Sequence, residues 1–360
     1  MPYALELLPP TRDVDSSKRV LGLTTALRLA LTAQSAGAIA IVTSDERLRA
    51  SLSDDRLTIP VVSTRPSGAM LWKVPSNVVV HRGLFGAARP THEGRDWDVL
   101  GEPVAFETPF GFSPITVEDD ASRALARRSL LRSLRKLADG WTSTYLNRHV
   151  SLFFTRFLVA TPLRPNQVSV GILFIGMAGA WLASKGTYLS LLGGAFLFQM
   201  QSILDGCDGE MSRLLFRGSK MGEWLDTVGD DLTNYGFFTA SGWGLYHATG
   251  SIVYLVASGV VLLTGVLTSA IEYRYLISIG SGDLLKYPLG VGQTASGPPT
   301  LLDKISPLFK RDTFVFLTLI AAALGLVSVL LVVFALGGIG ILATVIKAEI
   351  RMAGERRALK

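Results

Sequence analysis

The sequence holds a single cysteine, Cys207, and four histidines among 360 residues. One thiol excludes an intrachain disulfide and any cysteine-rich zinc site. His81 and His92 have no partners at ligand spacing, so they read as surface or structural side chains. The N-terminus lacks an apolar signal region, and residues 1–140 are expected to stay in the cytosol. From about 165 to 350 charge is scarce and apolar runs near the length of a membrane span dominate. The apolar fraction of 49% and the mean hydropathy of +0.38 are therefore unevenly spread. A net charge of +6 is no nucleic-acid signal here, because the basic residues gather at the ends of apolar segments, as membrane topology demands.

What is present falls into two halves. Residues 1–120 alternate short apolar runs with helix-like stretches. Thr25 to Gly37 reads as an amphipathic helix ending at glycine. Ala38 to Thr43 and Val78 to His81 read as short buried strands. That alternation predicts a soluble α/β layer domain. Residues 121–164 read as a basic amphipathic linker and a juxtamembrane helix. Arg123, Arg127, Arg128, Arg132, Arg135 and Lys136 carry no acid among them, and leucines interleave at helical intervals. Such a helix suits an anionic membrane surface.

Residues 165–352 read as six spans, at about 167–184, 187–212, 222–246, 251–276, 308–325 and 327–350. The last two share a tight turn for which Gly325 is available. Five spans is the alternative, if 313–350 is one bent element. Arg213, Arg217, Lys220, Arg274, Lys286, Lys304, Lys310 and Arg311 all fall on the side of the basic helix, whereas the opposite loops offer little beyond Lys185. The positive-inside rule then puts both termini, including a basic tail at 353–360, in the cytosol.

One stretch, Asp205 to Asp230, breaks the apolar pattern. Asp205, Asp208 and Gly209 are spaced i, i+3 and i+4, and Ser212 and Arg213 continue that helical face. Gly222, Asp226 and Asp230 form one stripe of a second helix. Carboxylates at membrane depth are expensive and usually functional. Four that converge repel one another unless cations sit between them, and hard oxygen donors suit Mg²⁺ or Mn²⁺. Two such ions are a common clamp for displacement at phosphorus. Asp231 falls one residue out of register and stays off the metal set.

These residues match the pattern D-x2-D-G-x2-A-R-x8-G-x3-D-x3-D, with every gap kept and Ser212 in place of the usual alanine. The stretch thereby resembles the CDP-alcohol phosphotransferase family. The resemblance implies two Mg²⁺ or Mn²⁺ ions held by Asp205, Asp208, Asp226 and Asp230, with Asp230 also the general base. It implies a CDP-linked nucleotide against Gly209, Ser212, Arg213, Ser219, Gly222 and Asn166, the last in a Pro-Asn turn before the first span. It further implies transfer of a substituted phosphate to an alcohol with release of CMP, in polar-lipid or osmolyte synthesis, by a homodimer with its site at the cytosolic face. The expected setting is a multi-pass protein of a prokaryotic inner or plasma membrane.

The N-terminal half is similar in layout to the sugar-nucleotide cytidylyltransferase domain fused to some relatives. Its chemistry is absent: Leu8-Pro9-Pro10-Thr11-Arg12 stands where a glycine-rich phosphate loop belongs, and His81 and Arg82 stand where a metal-binding aspartate belongs. A degenerate, non-catalytic domain is therefore expected. CDP-inositol and CDP-diacylglycerol remain alternative donors. Arg274, Arg311, Lys347 and Arg351 are candidates for an anionic acceptor such as inositol phosphate or another polyol phosphate. An inactive metal- or nucleotide-binding scaffold and a divalent-cation transporter are the competing classes. A transporter has no use for Gly209, Arg213 and Gly222 at these gaps.

Overall fold

The computed structural model describes residues 2–12, 18–92, 94–102, 112–135, 142–288 and 311–358. Lys136, Lys304 and Lys310 of the charge pattern lie outside them, as do the side chains of His92 and of residues 355–360. The chain divides into two compact units. The first comprises Met1–Ala138, Arg156–Pro162 and Glu210–Arg217; the second comprises Asp139–Thr155, Leu163–Gly209 and Gly218–Lys360.

In the first unit the strands β1 (Tyr3–Leu8), β4 (Ile41–Val42), β5 (Val61–Val62), β6 (Met70–Pro75) and β8 (Trp97–Asp98) form one parallel sheet in the order β5-β4-β1-β6-β8. Two antiparallel pairs accompany it: β2 (Arg19–Val20) with β3 (Leu23–Thr24), and β7 (Val78–Val79) with β9 (Ile115–Thr116). Helix α1 (Thr25–Ser35) begins at Thr24, whose hydroxyl accepts from the Leu27 amide, and the chain leaves it through Gly37 at φ 83°. Three short helices follow: α2 (Glu46–Ser51), α3 (Leu84–His92) and α4 (Asp120–Arg132). The core is aromatic. Tyr3 stacks on Trp72 at 3.9 Å and Trp97 meets Trp72 edge-on at 5.3 Å, while the Tyr3 hydroxyl donates to the Ala33 carbonyl and ties β1 to α1.

The basic run 121–138 is helical over Asp120–Arg132, started by a capping box between Asp119 and Ser122. The more amphipathic helix comes later, at α5 (Arg148–Leu158). It buries Arg148, Ser151 and Thr155 while Phe153, Phe154 and Phe157 stay exposed. Polar inside and apolar outside is the reverse of a soluble surface helix.

Among the described residues six further helices follow: α6 (Pro165–Ala183), α7 (Tyr188–Leu215), α8 (Lys220–Thr249), α9 (Ile252–Ser278), α10 (Arg311–Ala323) and α11 (Val327–Ala358). Each expected span coincides with one of them to within a few residues, except that α11 runs on to Ala358 because Ala353, Glu355, Arg356 and Arg357 are good helix formers. Pro165 opens α6 at its first position, and Gly325 turns α10 into α11 at φ 71°. Among the described residues three helices are long and apolar enough to cross a membrane: Pro165–Ala183, Ile252–Ser278 and Val327–Gly354. Helices α7 and α8 carry the charged motif, and α10 has 13 described residues, so none of these three reaches that length and apolarity. The structure thus shows a mostly helical chain with an α/β sheet domain and, among the described residues, three helices long and apolar enough to span a membrane.

In the second unit α8 packs on α6 and α9, and α9 on α11. The core joins Phe198 and Phe237, stacked at 4.7 Å, to Phe238 and Phe334 at 4.5 Å.

Candidate active site

Helix α7 presents Asp205 and Asp208 one turn apart, and α8 presents Gly222, Asp226 and Asp230 along one stripe. Asp208 is buried; its carboxylate accepts from the Ser169 hydroxyl on α6 and from the Gly209 amide. Asp205 lies within electrostatic reach of Asp208, Asp230 and Arg148. Asp230 is likewise within reach of Asp205, Asp226 and Asp231. The two helices therefore bring the four aspartates into one charged neighbourhood, with Asp226 at its exposed edge.

A guanidinium stands in that neighbourhood. Arg311, the first residue of α10, lies 2.8 Å from Asp230 Oδ1 and 3.4 Å from Asp205 Oδ2. Its remaining nitrogens donate to Gln201 Oε1 at 2.7 Å, Thr233 Oγ1 at 3.4 Å and Asn234 Oδ1 at 3.3 Å. Gln201 was legible in the spacing, since it precedes Asp205 by four residues. Asn234 continues the Gly222–Asp226–Asp230 stripe by four more. Among the described residues no three His, Cys, Asp and Glu side chains converge closely enough to hold a metal ion as they stand. The donor chemistry nevertheless suits a hard divalent cation: four carboxylates on two neighbouring helices, with neutral amide and hydroxyl oxygens behind them.

Asn166, Ser219 and Gly222 come together at the start of α8. Ser219 is the N-cap, its hydroxyl accepting from the Gly222 amide at 3.0 Å. A Cβ on Gly222 would lie 3.1 Å from Asn166 Oδ1 and 3.2 Å from Ser219 Oγ, so glycine keeps this corner open. Ser212 and Arg213 lie near the end of α7, in the stretch that groups with the first unit. Cys207 is buried against the Ser151 carbonyl, a packing contact. Asp231 accepts from Tyr273, at 2.7 Å, and from Ser269, both on α9. Its single-residue offset in sequence thus turns it toward a different helix.

The four acceptor candidates occupy different settings. Arg311 is embedded among the aspartates as above. Arg274 pairs with Glu349 at 2.7 Å, Arg351 reaches the Pro288 carbonyl at 3.5 Å, and Lys347 is exposed on α11.

In the first unit Thr11 and His81 make structural contacts. Thr11 and Asn77 exchange hydrogen bonds of 3.2 and 2.9 Å across the loop that follows β1. The His81 ring accepts from the Gly83 amide at 3.1 Å. Burial first, and the Arg82 charge second, pushes its pKa below the ordinary value.

No protein-family model matches the chain. It is similar to three proteins named bifunctional IPC transferase and DIPP synthase. With that of Aquifex aeolicus it shares 30% identity over 59% of this chain and 44% of the relative. With that of Thermococcus kodakarensis it shares 32% over 48% and 38%, and with that of Archaeoglobus fulgidus 27% over 63% and 41%. The chain thus spans less than half the length of these curated relatives. Among solved structures, a Mycobacterium tuberculosis phosphatidylinositol phosphate synthase with CDP-DAG bound aligns with 18% identity and a TM-score of 0.42. That alignment covers 56% of this chain and 93% of that one. These sequence relatives bear the names of two enzyme activities, IPC transferase and DIPP synthase.

Proposed function

We propose that the chain is a membrane-embedded CDP-alcohol phosphotransferase, moving a substituted phosphate from a CDP-linked donor to a polyol hydroxyl and releasing CMP. The observation that carries this reading is the grouping of Asp205, Asp208, Asp226 and Asp230 from two adjacent helices, beside the open corner of Asn166, Ser219 and Gly222. The names of the sequence relatives support it.

Asp205, Asp208, Asp226 and Asp230 are the residues that would hold two Mg²⁺ or Mn²⁺ ions. Bound there, the ions would neutralise charge on the transferred and leaving phosphate oxygens. Gly209 and Gly222 admit the nucleotide against helix backbone, and Asn166, Ser212 and Ser219 offer it small polar contacts. Arg213 takes the pyrophosphate with its fork of donors. Asp230 accepts the proton from the attacking hydroxyl. The new oxygen–phosphorus bond forms at the β-phosphorus as the bond to CMP breaks, and CMP leaves with the electron pair. Arg274, Lys347 and Arg351 serve a phosphorylated acceptor; inositol phosphate fits that set of cations. Residues 1–120 act as a non-catalytic cytidylyltransferase-like domain, 121–164 as the linker, 165–352 as a six-helix membrane domain with its site in the cytosol, and 353–360 as a basic tail. The membrane domain pairs as a homodimer.

The test is CMP release by the full chain with Mg²⁺ or Mn²⁺. CDP-diacylglycerol and CDP-inositol are each supplied against a panel of polyol and polyol-phosphate acceptors. Release that needs one donor and one acceptor, and that Asp230→Asn lowers by about 10²-fold or more while nucleotide still binds, is the expected result. Metal binding without release from any pair would favour a scaffold instead.

A further inference from the structure

We propose that Arg311 is the resident counter-cation of the Asp205–Asp230 pair and competes with divalent metal for the oxygens of those two carboxylates. The inference rests on the reading of the aspartates as a metal site.

A guanidinium has five N–H donors in a fixed fork, and that of Arg311 faces five oxygens: Asp205, Asp230, Gln201, Thr233 and Asn234. Three of the five are neutral and come from α7 and α8, so the fork is anchored independently of the carboxylates. The side chains of Arg311, Asp205 and Asp230 are 19%, 23% and 24% exposed. Two carboxylates this far from water repel strongly when both are ionised. Asp208 adds to the negative potential on Asp205, and Asp226 and Asp231 add to that on Asp230; Arg148 is a second cation acting on Asp205. Arg311 relieves that repulsion when no metal is bound. For the same reason it opposes a divalent ion, since one positive charge already sits 2.8 Å from an oxygen the ion would use. An arginine recruited purely to bind an anionic acceptor would keep donors facing open space. Arg311 instead uses its fork on the site itself, in four hydrogen bonds and an ion pair with Asp230. Its effect on metal affinity therefore has a definite sign: removing the charge should tighten metal binding, whereas removing a merely structural side chain would loosen it.

The test titrates the full chain in detergent micelles with Mn²⁺, read by electron paramagnetic resonance of the free ion, together with metal-free thermal unfolding. Arg311→Gln is expected to lower the Kd for Mn²⁺ by about tenfold or more, because a unit charge within a few ångströms is worth over 1 kcal/mol near a protein surface. It should also lower the metal-free Tm, and saturating Mn²⁺ should restore it. Arg311→Lys keeps the charge but loses the fork, so its Kd should lie below that of wild type and above that of the glutamine variant; if the glutamine variant does not fold, the comparison of lysine with wild type carries the test. Asp205→Asn should abolish the binding in every background. Folded Arg311 variants whose Kd is unchanged or raised, in a protein whose Mn²⁺ binding needs Asp205, would overturn the role of Arg311 alone. Binding indifferent to Asp205→Asn, or no binding by wild type and variants alike, would overturn the metal site and this inference with it.

Discussion

Asp230 and Asp231 are chain neighbours with opposite surroundings. Asp230 faces the guanidinium of Arg311, whereas Asp231 is satisfied by Tyr273 and Ser269 on α9. A helix turns about 100° per residue, so adjacent carboxylates must serve different faces, and the sequence stripe assigned them accordingly. Residue-scale electrostatics is clearest outside the membrane helices, at Asp54. Both its oxygens receive the Arg56 fork at 2.6 Å, and chiefly for that reason its pKa falls from 3.8 to about 2. A carboxylate with a depressed folded-state pKa stabilises the fold above its unfolded pKa and loses that contribution as pH falls through the folded value. Asp54→Asn should thus lower the Tm at about pH 6, and the gap to wild type should close between about pH 4 and about pH 2. A gap that persists undiminished to the acid end would show that Asp54 acts by shape rather than charge. The same Arg56 donates to the Leu215 carbonyl at 2.8 Å, and buried Arg28 donates to Leu214 at 2.9 Å, so two arginines of the first unit satisfy the last carbonyls of α7. Nothing in the spacing of Arg28 and Arg56 announced this, because the partners lie 159 and 186 residues away.

Helices were legible in the sequence wherever apolar length or a cap marks them, and less so where chemistry interrupts them. The N-cap at Ser219 and the left-handed turn at Gly325 follow from local residue types. A juxtamembrane amphipathic helix is expected within residues 121–164; charge marks the arginine-rich run there, whereas α5, inside the same bounds, has few arginines and an apolar face of three phenylalanines. The parallel pairing of β1 with β4 and β6 needed long-range information that a short apolar run does not carry. Glycines within helices are ambiguous in the same way, since close packing inside the chain and contact outside it ask for the same residue. The structure separates two of them. A Cβ on Gly242 would fall 2.3 Å from Ser258 Cβ, whereas one on Gly259 would meet nothing within 4 Å. Gly242→Ala should therefore destabilise the chain by about 1–3 kcal/mol through overpacking of α8 on α9. Gly259→Ala should leave the unfolding midpoint in micelles unchanged or slightly raised, because alanine is the better helix former and meets nothing there. Equal losses from both would overturn the α8–α9 contact as the cause, since helix propensity favours alanine at either site.

At the scale of the whole molecule the helical part buries polar side chains beside its aromatic core and exposes large apolar ones. Gln199, Gln201, Asp208, Thr233, Ser258 and Glu272 are buried, while Phe174, Trp181, Leu189, Leu263 and Ile350 are between 62% and 75% exposed. Water does not select that distribution; a hydrocarbon solvent does. Composition alone identified the apolar half, but the number of crossings depends on whether α7, α8 and α10 also traverse the bilayer, and their charge or length leaves that to experiment. The chain suits a direct measurement, because its one cysteine is fully buried and contributes little background to thiol labelling. If all six long helices cross, the loops alternate sides. Residues 184–187, 250–251 and 324–326 then share one face, and 216–219 lie on the other. Single cysteines introduced as Thr187→Cys, Ser251→Cys and Leu324→Cys should react with a membrane-impermeant maleimide added outside intact cells. Gly218→Cys should react only after permeabilisation. The sidedness follows from charge, since Arg217 and Lys220 flank the second loop and Lys185 is the lone cation of the first. Thr187 and Gly218 labelling from the same side would mean that α7 does not cross. The carboxylate pair on α7 would then sit in a re-entrant or interfacial helix, and the six-span reading would fall while the local geometry of Asp205, Asp230 and Arg311 stood.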